Sequence, residues 1–210
     1  MTYWLGMALV PRADYIDAAV ALQRRVGAGE QLVPELSAAG NLPHVTVYQG
    51  PLQDSVDLEE ILARLKGDLG LTSPITVSAT EILYLPTGWI FLGLERAAVL
   101  EKLQVAALAA LESGIDRAAI ENSTEAEGYA GAARENFYRY GYRFVGEAFL
   151  PHITLGRLEG ESFAAMEAMA SSPVGLEADE NDWVFDRMTF YEIGDHGAHA
   201  VKLAEVRLGK

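Results

Sequence analysis

The chain has 210 residues and no cysteine, which excludes disulfides and cysteine-based zinc sites and leads us to expect a cytoplasmic protein. Half of the residues are hydrophobic and 22% are charged, a balance that builds a core and excludes a disordered chain. With 16 Lys and Arg against 30 Asp and Glu, the formal charge is −14; proteins that hold long nucleic acids line the phosphate path with cations, so a small nucleotide or a short RNA terminus fits better as partner.

In chain order, the apolar opening before Pro11 is too short for a bilayer span and reads as a strand over 3–10. No other stretch approaches the ~18 apolar residues of a membrane helix, so no membrane association is expected. A helix over 14–26 follows, then a loop ending at Pro43 and a strand over 44–49. Leu58, Ile61, Leu62 and Leu65 recur at helical spacing and predict a helix over 54–69, capped by Asp54 or Ser55. Alternation over 75–83, the turn Pro86-Thr87-Gly88 and a strand over 89–94 form a hairpin. A strongly apolar helix over 97–111 precedes a segment, 121–142, that ends in a cluster of aromatics and arginines. A strand after Pro151, a short helix near 163–169 and a hairpin of 183–193 with 198–208 close the chain. Helices and antiparallel strands in each half read as an α+β fold, a single domain over 1–210 made of two similar lobes across a groove.

Pro43-His44-Val45-Thr46-Val47 and Pro151-His152-Ile153-Thr154-Leu155 nearly repeat each other about half a chain apart. On a strand, side chains two residues apart share a face, so His44 points with Thr46 and His152 with Thr154, while the aliphatic residues point into a core. A lone histidine on an apolar strand most often serves packing. Two of the chain's four histidines in one five-residue setting are better explained by duplication of a β-rich unit.

These paired His-x-Thr motifs resemble the two-histidine (2H) phosphoesterase superfamily, which includes bacterial RNA 2',5'-ligase/cyclic phosphodiesterases and plant and fungal cyclic phosphodiesterases. The resemblance implies a bilobal fold with the 43–48 motif in one lobe and the 151–156 motif in the other. It also implies a phosphodiesterase, without metal or cofactor, that opens a 2',3'-cyclic phosphate or a related cyclic or 2',5'-linked nucleotide. The chemistry agrees. A water must lose a proton as it attacks phosphorus and a ribose oxygen must gain one as it leaves, and imidazoles with an ordinary pKa of about 6.5 serve either role near neutrality. One of His44 and His152 would be neutral and the other protonated, with the roles interchangeable; Thr46 and Thr154 would hold the non-bridging oxygens. Run in reverse, the same site would join RNA ends through a 2',5' linkage. A non-catalytic nucleotide-binding module that keeps the motifs as phosphate ligands is the alternative from another class.

Further contacts are expected from neighbouring residues. Tyr48 lies two beyond Thr46, on the same face by alternation, where it would stack on a base or bond the phosphate. Arg157 stands three beyond Thr154, nominally on the opposite face unless a bend at Gly156 redirects it. Tyr140 and Arg143, in the cluster over 137–143, offer a ring and a cation for a base, against the reading that these arginines pair with Glu135 or Glu147. Tyr3 and Trp4 are further groove candidates. His196 and His199, beside Asp195, fall in an expected hairpin turn, and no metal is expected there. Neither a Walker sequence, nor a GxGxxG after a strand, nor a serine-hydrolase elbow occurs.

Overall fold

The computed structural model describes residues 2–27, 29–158, 163–177 and 180–209. Its elements alternate strands and helices: β1 (Thr2–Pro11), α1 (Ala13–Gly27), β2 (Leu32–Val33), β3 (Val45–Gln53), α2 (Leu58–Asp68), β4 (Ile75–Tyr84), β5 (Trp89–Leu94), α3 (Ala98–Leu111), α4 (Arg117–Glu121), α5 (Gly131–Tyr140), β6 (His152–Leu158), α6 (Phe163–Ser171), β7 (Asp182–Ile193) and β8 (His199–Arg207). The architecture is α+β, as expected. Helix α2 starts at Leu58 because the Asp57 carboxylate accepts the Glu60 backbone N–H, so the cap is Asp57 and neither Asp54 nor Ser55. Helix α5 stops where Gly141 takes a left-handed φ of 72°, a conformation that suits glycine. Among the described residues no helix is long and apolar enough to cross a membrane.

All strand pairs are antiparallel. The order β1-β3-β6-β5-β4-β7 returns to β1 through a β7–β1 pairing, with β8 added on β7 and β2 on β6. The two motif strands therefore lie side by side, joined where Val45 faces Ile153. Their other neighbours are drawn from both halves of the chain, since the β4–β5 hairpin flanks β6 while the C-terminal β7–β8 hairpin flanks β1. Behind the sheet, α3 packs on β3 and α1 on β6. Val45, Val47, Ile153 and Leu155 are all buried, as the alternation requires.

Both motif strands carry a bulge directly after the threonine. Ala8 faces Thr46 and Met7 faces Tyr48, so Val47 is the extra residue of β3. Phe91 faces Thr154 and Ile90 faces Gly156, so Leu155 is the extra residue of β6. A bulge interrupts the ladder and leaves backbone groups to be satisfied elsewhere. Two buried glutamines meet that need in parallel ways. The Gln104 amide of α3 donates to Val47 O (3.2 Å) and Phe144 O (2.9 Å) and accepts from Gly146 N–H (3.1 Å). The Gln23 amide of α1 donates to Leu155 O (2.7 Å) and Pro34 O (3.0 Å) and accepts from Leu36 N–H (2.9 Å). Each glutamine thus ties the bulge of one motif to the loop that leads into the other. Gln104→Ala and Gln23→Ala should each lower the unfolding free energy by about 3 kcal/mol, because several buried backbone groups lose their partner at once. The exposed Gln53→Ala should stay within about 0.5 kcal/mol of wild type. Denaturant midpoints check both, and equal midpoints for all three variants would remove the glutamines from this role.

Candidate active site

The two histidines are set by the same local device. His44 Nδ1 lies 2.7 Å from Leu42 O and His152 Nδ1 lies 2.6 Å from Leu150 O, each carbonyl belonging to the residue before the motif proline. Proline fixes its own φ and keeps the preceding residue extended, which holds that carbonyl beside the ring. A carbonyl only accepts, so in the neutral imidazole the proton sits on Nδ1 and Nε2 carries the free lone pair. With Val45 opposite Ile153, the antiparallel register sets His44 across from Thr154 and Thr46 across from His152 on one face.

The site is poorly hydrated. His44 and His152 are 8% and 9% exposed, and burial pushes both imidazoles from 6.5 down to about 4, against the opposing pull of their backbone hydrogen bonds. The nearby His44 and Arg143 push His152 further in the same direction. Their immediate neighbours differ. His152 stacks on Phe91 at 3.9 Å between centroids and meets the edge of Phe144 at 5.9 Å. His44 Nε2 instead lies 3.0 Å from the Tyr191 hydroxyl, with the His199 ring 5.7 Å away.

The bulges decide where the other expected residues go. Thr46 and Thr154 are half-buried on the groove face. Tyr48 is a correction: the extra residue Val47 reverses the alternation, so Tyr48 faces Met7 and is 0% exposed in the core, away from His44. Gln49 takes the groove position instead. The same reversal at Leu155 brings Arg157 to the face of His152 and Thr154, opposite Trp89 in the register, with its guanidinium 5.6 Å from the Trp89 ring. Gly156 makes this turn at φ 124°.

Arg143 lines a cleft of about 380 Å³ together with Trp4, Gln49, Glu125, Tyr129 and Tyr142. Its guanidinium lies 4.8 Å from the Tyr129 ring and 4.6 Å from that of Phe144, so rings and not Glu135 or Glu147 are its neighbours. Tyr140 is a second correction: it ends α5 with its ring packed against the core beneath Arg139, outside the cleft lining. Trp4 reaches the cleft; the side chain of Tyr3 lies outside the described residues.

Nothing in the sequence singles out Tyr191, and His199 reads only as a turn residue. Tyr191 and His199 come from the C-terminal hairpin, and only its long-range pairing to β1 carries them to His44. His199 is buried, stacks on Tyr191 at 4.3 Å and faces Thr189 Oγ1 at 3.0 Å from Nε2, and burial pushes it down to about 3. His196, in contrast, is exposed at the turn, its ring centroid 6.0 Å from that of Trp89 in an edge-on contact.

Because the three buried histidines have lower pKa values folded than unfolded, their stabilising contribution is present above pH 6.5 and is lost as pH falls towards about 4 for His44 and His152 and about 3 for His199. The melting temperature should therefore drop over that window. His152→Phe, which cannot titrate, should flatten the drop, and a melting temperature constant from pH 7 to 4.5 would contradict the burial of these rings.

No protein-family model matches the chain, and no curated protein sequence matches it. Solved structures do resemble it. The crystal structure of E. coli LigT complexed with NADP+ superposes with a TM-score of 0.56 at 15% identity over the whole of both chains. TT0787 of Thermus thermophilus gives 0.56 at 18% identity over 98% of each chain. A structure described as a phosphoesterase gives 0.52 at 15% identity over the whole of both. At such identities the likeness is one of fold. The chain has the fold of these structures, that of E. coli LigT among them.

Proposed function

We propose that the chain is a metal-independent phosphodiesterase of the two-histidine type, which opens a 2',3'-cyclic phosphate of a nucleotide or short RNA end, or a related cyclic or 2',5'-linked nucleotide. The observation that supports this most is the pairing of Val45 with Ile153, which sets two imidazoles with the same Nδ1 tether and two threonines on one face. In the reaction, one Nε2 takes a proton from water as its oxygen bonds to phosphorus. The other imidazole, protonated at Nε2, gives its proton to the ribose oxygen as the P–O bond breaks. Each turnover leaves the two histidines with exchanged protons, and solvent restores them. Thr46 and Thr154 hydroxyls and the Arg157 guanidinium hold the phosphoryl oxygens, where charge develops. The cleft with Trp4, Tyr129 and Arg143 takes the base. In this reading the motifs 43–48 and 151–156 mark two pseudo-symmetric lobes of one domain. Structures of E. coli LigT hold NADP+, ATP and 3'-AMP, and small nucleotides of that class suit an acidic chain with a cleft of this size.

A reactive pair needs one imidazolium, whereas burial leaves both rings neutral at pH 7 in the free protein. The phosphate's own negative charge favours the protonated form once substrate is bound. Accordingly kcat/KM, which reports the free protein, should peak on the acid side of pH 6, and kcat should peak closer to neutrality. A flat profile from pH 5 to 9 would count against the pair.

The neutral pair also favours a second reading, a non-catalytic module that binds phosphate through the threonines. A panel of cyclic nucleotides, ADP-ribose cyclic phosphate and 2',5'-oligonucleotides, assayed with a chelator present, separates the two. Hydrolysis of at least one member, lowered by about 10²–10⁴-fold in folded His44→Ala and His152→Ala, is the expected result. Wild-type turnover in His152→Ala would refute the mechanism, and nucleotide binding without hydrolysis would select the module.

A further inference from the structure

We propose that Tyr191 is a positioning residue for His44, a hydroxyl that donates to Nε2 of the neutral imidazole in the free protein and, once His44 is protonated, shares its Nε2–H with the oxygen that the proton goes to. This rests on the reading of His44 as one of the two proton-transfer groups. Three observations make the arrangement a built one. First, the Tyr191 hydroxyl is 3.0 Å from His44 Nε2, and the Thr46 and Gln49 side chains donate to its oxygen, which leaves its own proton for the neutral histidine. Second, the space for the ring is reserved in the sequence. Tyr191 pairs with Gly6 of β1, and a Cβ at Gly6 would lie 2.1 Å from Tyr191 Cζ, so no other residue at position 6 leaves the ring where it is. Third, the ring is backed by His199, stacked at 4.3 Å and 13°, which faces Thr189 through its own Nε2 and whose backbone N–H donates to Asn41 Oδ1. Asn41 lies just before the first motif, so the C-terminal hairpin and the His44 loop are fastened together at this point.

The need for such a group follows from the surroundings of His44. No carboxylate among the described residues is a cause of its shift, so only the Leu42 carbonyl opposes the cost of burial there. A hydroxyl satisfies Nε2 in both protonation states by rotating, which a carboxylate or a carbonyl cannot do. His152 has a different solution: Phe91 and Phe144 hold its ring, and no hydroxyl meets it among the described residues. The two histidines are alike in sequence and unlike in how they are held, which assigns the regulated hydrogen bond to His44 alone.

Nitrogen-15 spectra of the histidine side chains at pH 7 test this without reference to turnover. In the wild-type protein, His44 Nε2 should resonate upfield of His152 Nε2, since only the former lone pair accepts a hydrogen bond. In Tyr191→Phe the His44 signal should move to the position of an unbonded nitrogen while that of His152 stays, and kcat should fall about tenfold with little change in KM, the loss expected for one hydrogen bond. Gly6→Ala, which keeps the hydroxyl and displaces the ring, should reproduce the same His44 shift. The proposal is overturned if the two Nε2 resonances of the wild-type protein coincide, a comparison that stands even where a variant fails to fold, or if folded Tyr191→Phe leaves the His44 signal in place. A chain that hydrolyses no substrate of the panel and still shows the displaced His44 resonance would refute the phosphodiesterase reading and leave the positioning contact intact.

Discussion

Val45 and Ile153 face each other where the two motif strands touch, and both side chains are fully buried on the side away from the groove. Because strand side chains alternate, fixing these two aliphatics inward fixes His44, Thr46, His152 and Thr154 outward. A slip of one residue in either strand would put imidazole and hydroxyl groups into the core and aliphatics into the groove, so hydrophobic burial is what enforces the register of the candidate site. The bulges then set how far this alternation runs. Without Val47 and Leu155 as extra residues, the next groove positions would fall to Tyr48 and Gly156; with them, Gln49 and Arg157 occupy those positions. Gln104 and Gln23 hold the bulges through buried amides, which places the polar geometry of the site under the control of two helices behind the sheet.

The same burial that enforces the register has an electrostatic consequence. Few waters reach the imidazoles, so charge there is costly in the free protein and strongly favoured beside an anion. In the proposed reaction the substrate brings the charge that its own catalysis requires, and proton uptake is coupled to phosphate binding. The pseudo-symmetry of the motifs does not extend to their environment. His152 sits against two phenyl rings and His44 against a phenol; Phe91 comes from the β4–β5 hairpin and Phe144 from the loop before β6, whereas Tyr191 comes from the β7–β8 hairpin, which flanks β1.

Much of this was legible because local physics decided it. The apolar periodicity of α1 and α3 and the alternation of β3 and β6 each follow from burying one face, and their ends fall within a few residues of the sequence-based expectation. The paired motifs carried the fold. What could not be read depends on contacts between distant parts of the chain. Nothing in Val47 or Leu155 marks a bulge, since the helix glutamines that stabilise it lie more than fifty residues away in each case; only Gly156 hinted at one, and Tyr48 was misplaced for want of such a hint. His199 reads as a turn residue from its glycine-rich neighbours, yet the pairing with β7 makes it the back wall of the site. Asp57 outcompetes Asp54 as the cap of α2 because the first buried turn, with Ile61 and Leu62, starts later than the polar run implies.

Under the proposed function an acidic chain would have to accommodate a phosphate. The two arginines nearest the motifs, Arg143 and Arg157, lie against aromatic rings, and neither pairs with a carboxylate among the described residues. Other arginines of the chain are committed to acids, as Arg25 is to Glu177 and Glu180. A guanidinium over a ring keeps most of its charge available to an anion, whereas one in an ion pair does not. At physiological salt the field of the remaining surface is screened over about 8 Å, so in this proposal a small phosphate inside the groove would be governed by these two cations. A long polyanion would have to lie along the surface beyond that distance, where the net charge of −14 opposes it. In the proposed function, local cations on aromatic supports within an acidic exterior would therefore select for length as well as for charge, admitting a nucleotide or a strand end and repelling the rest of a strand.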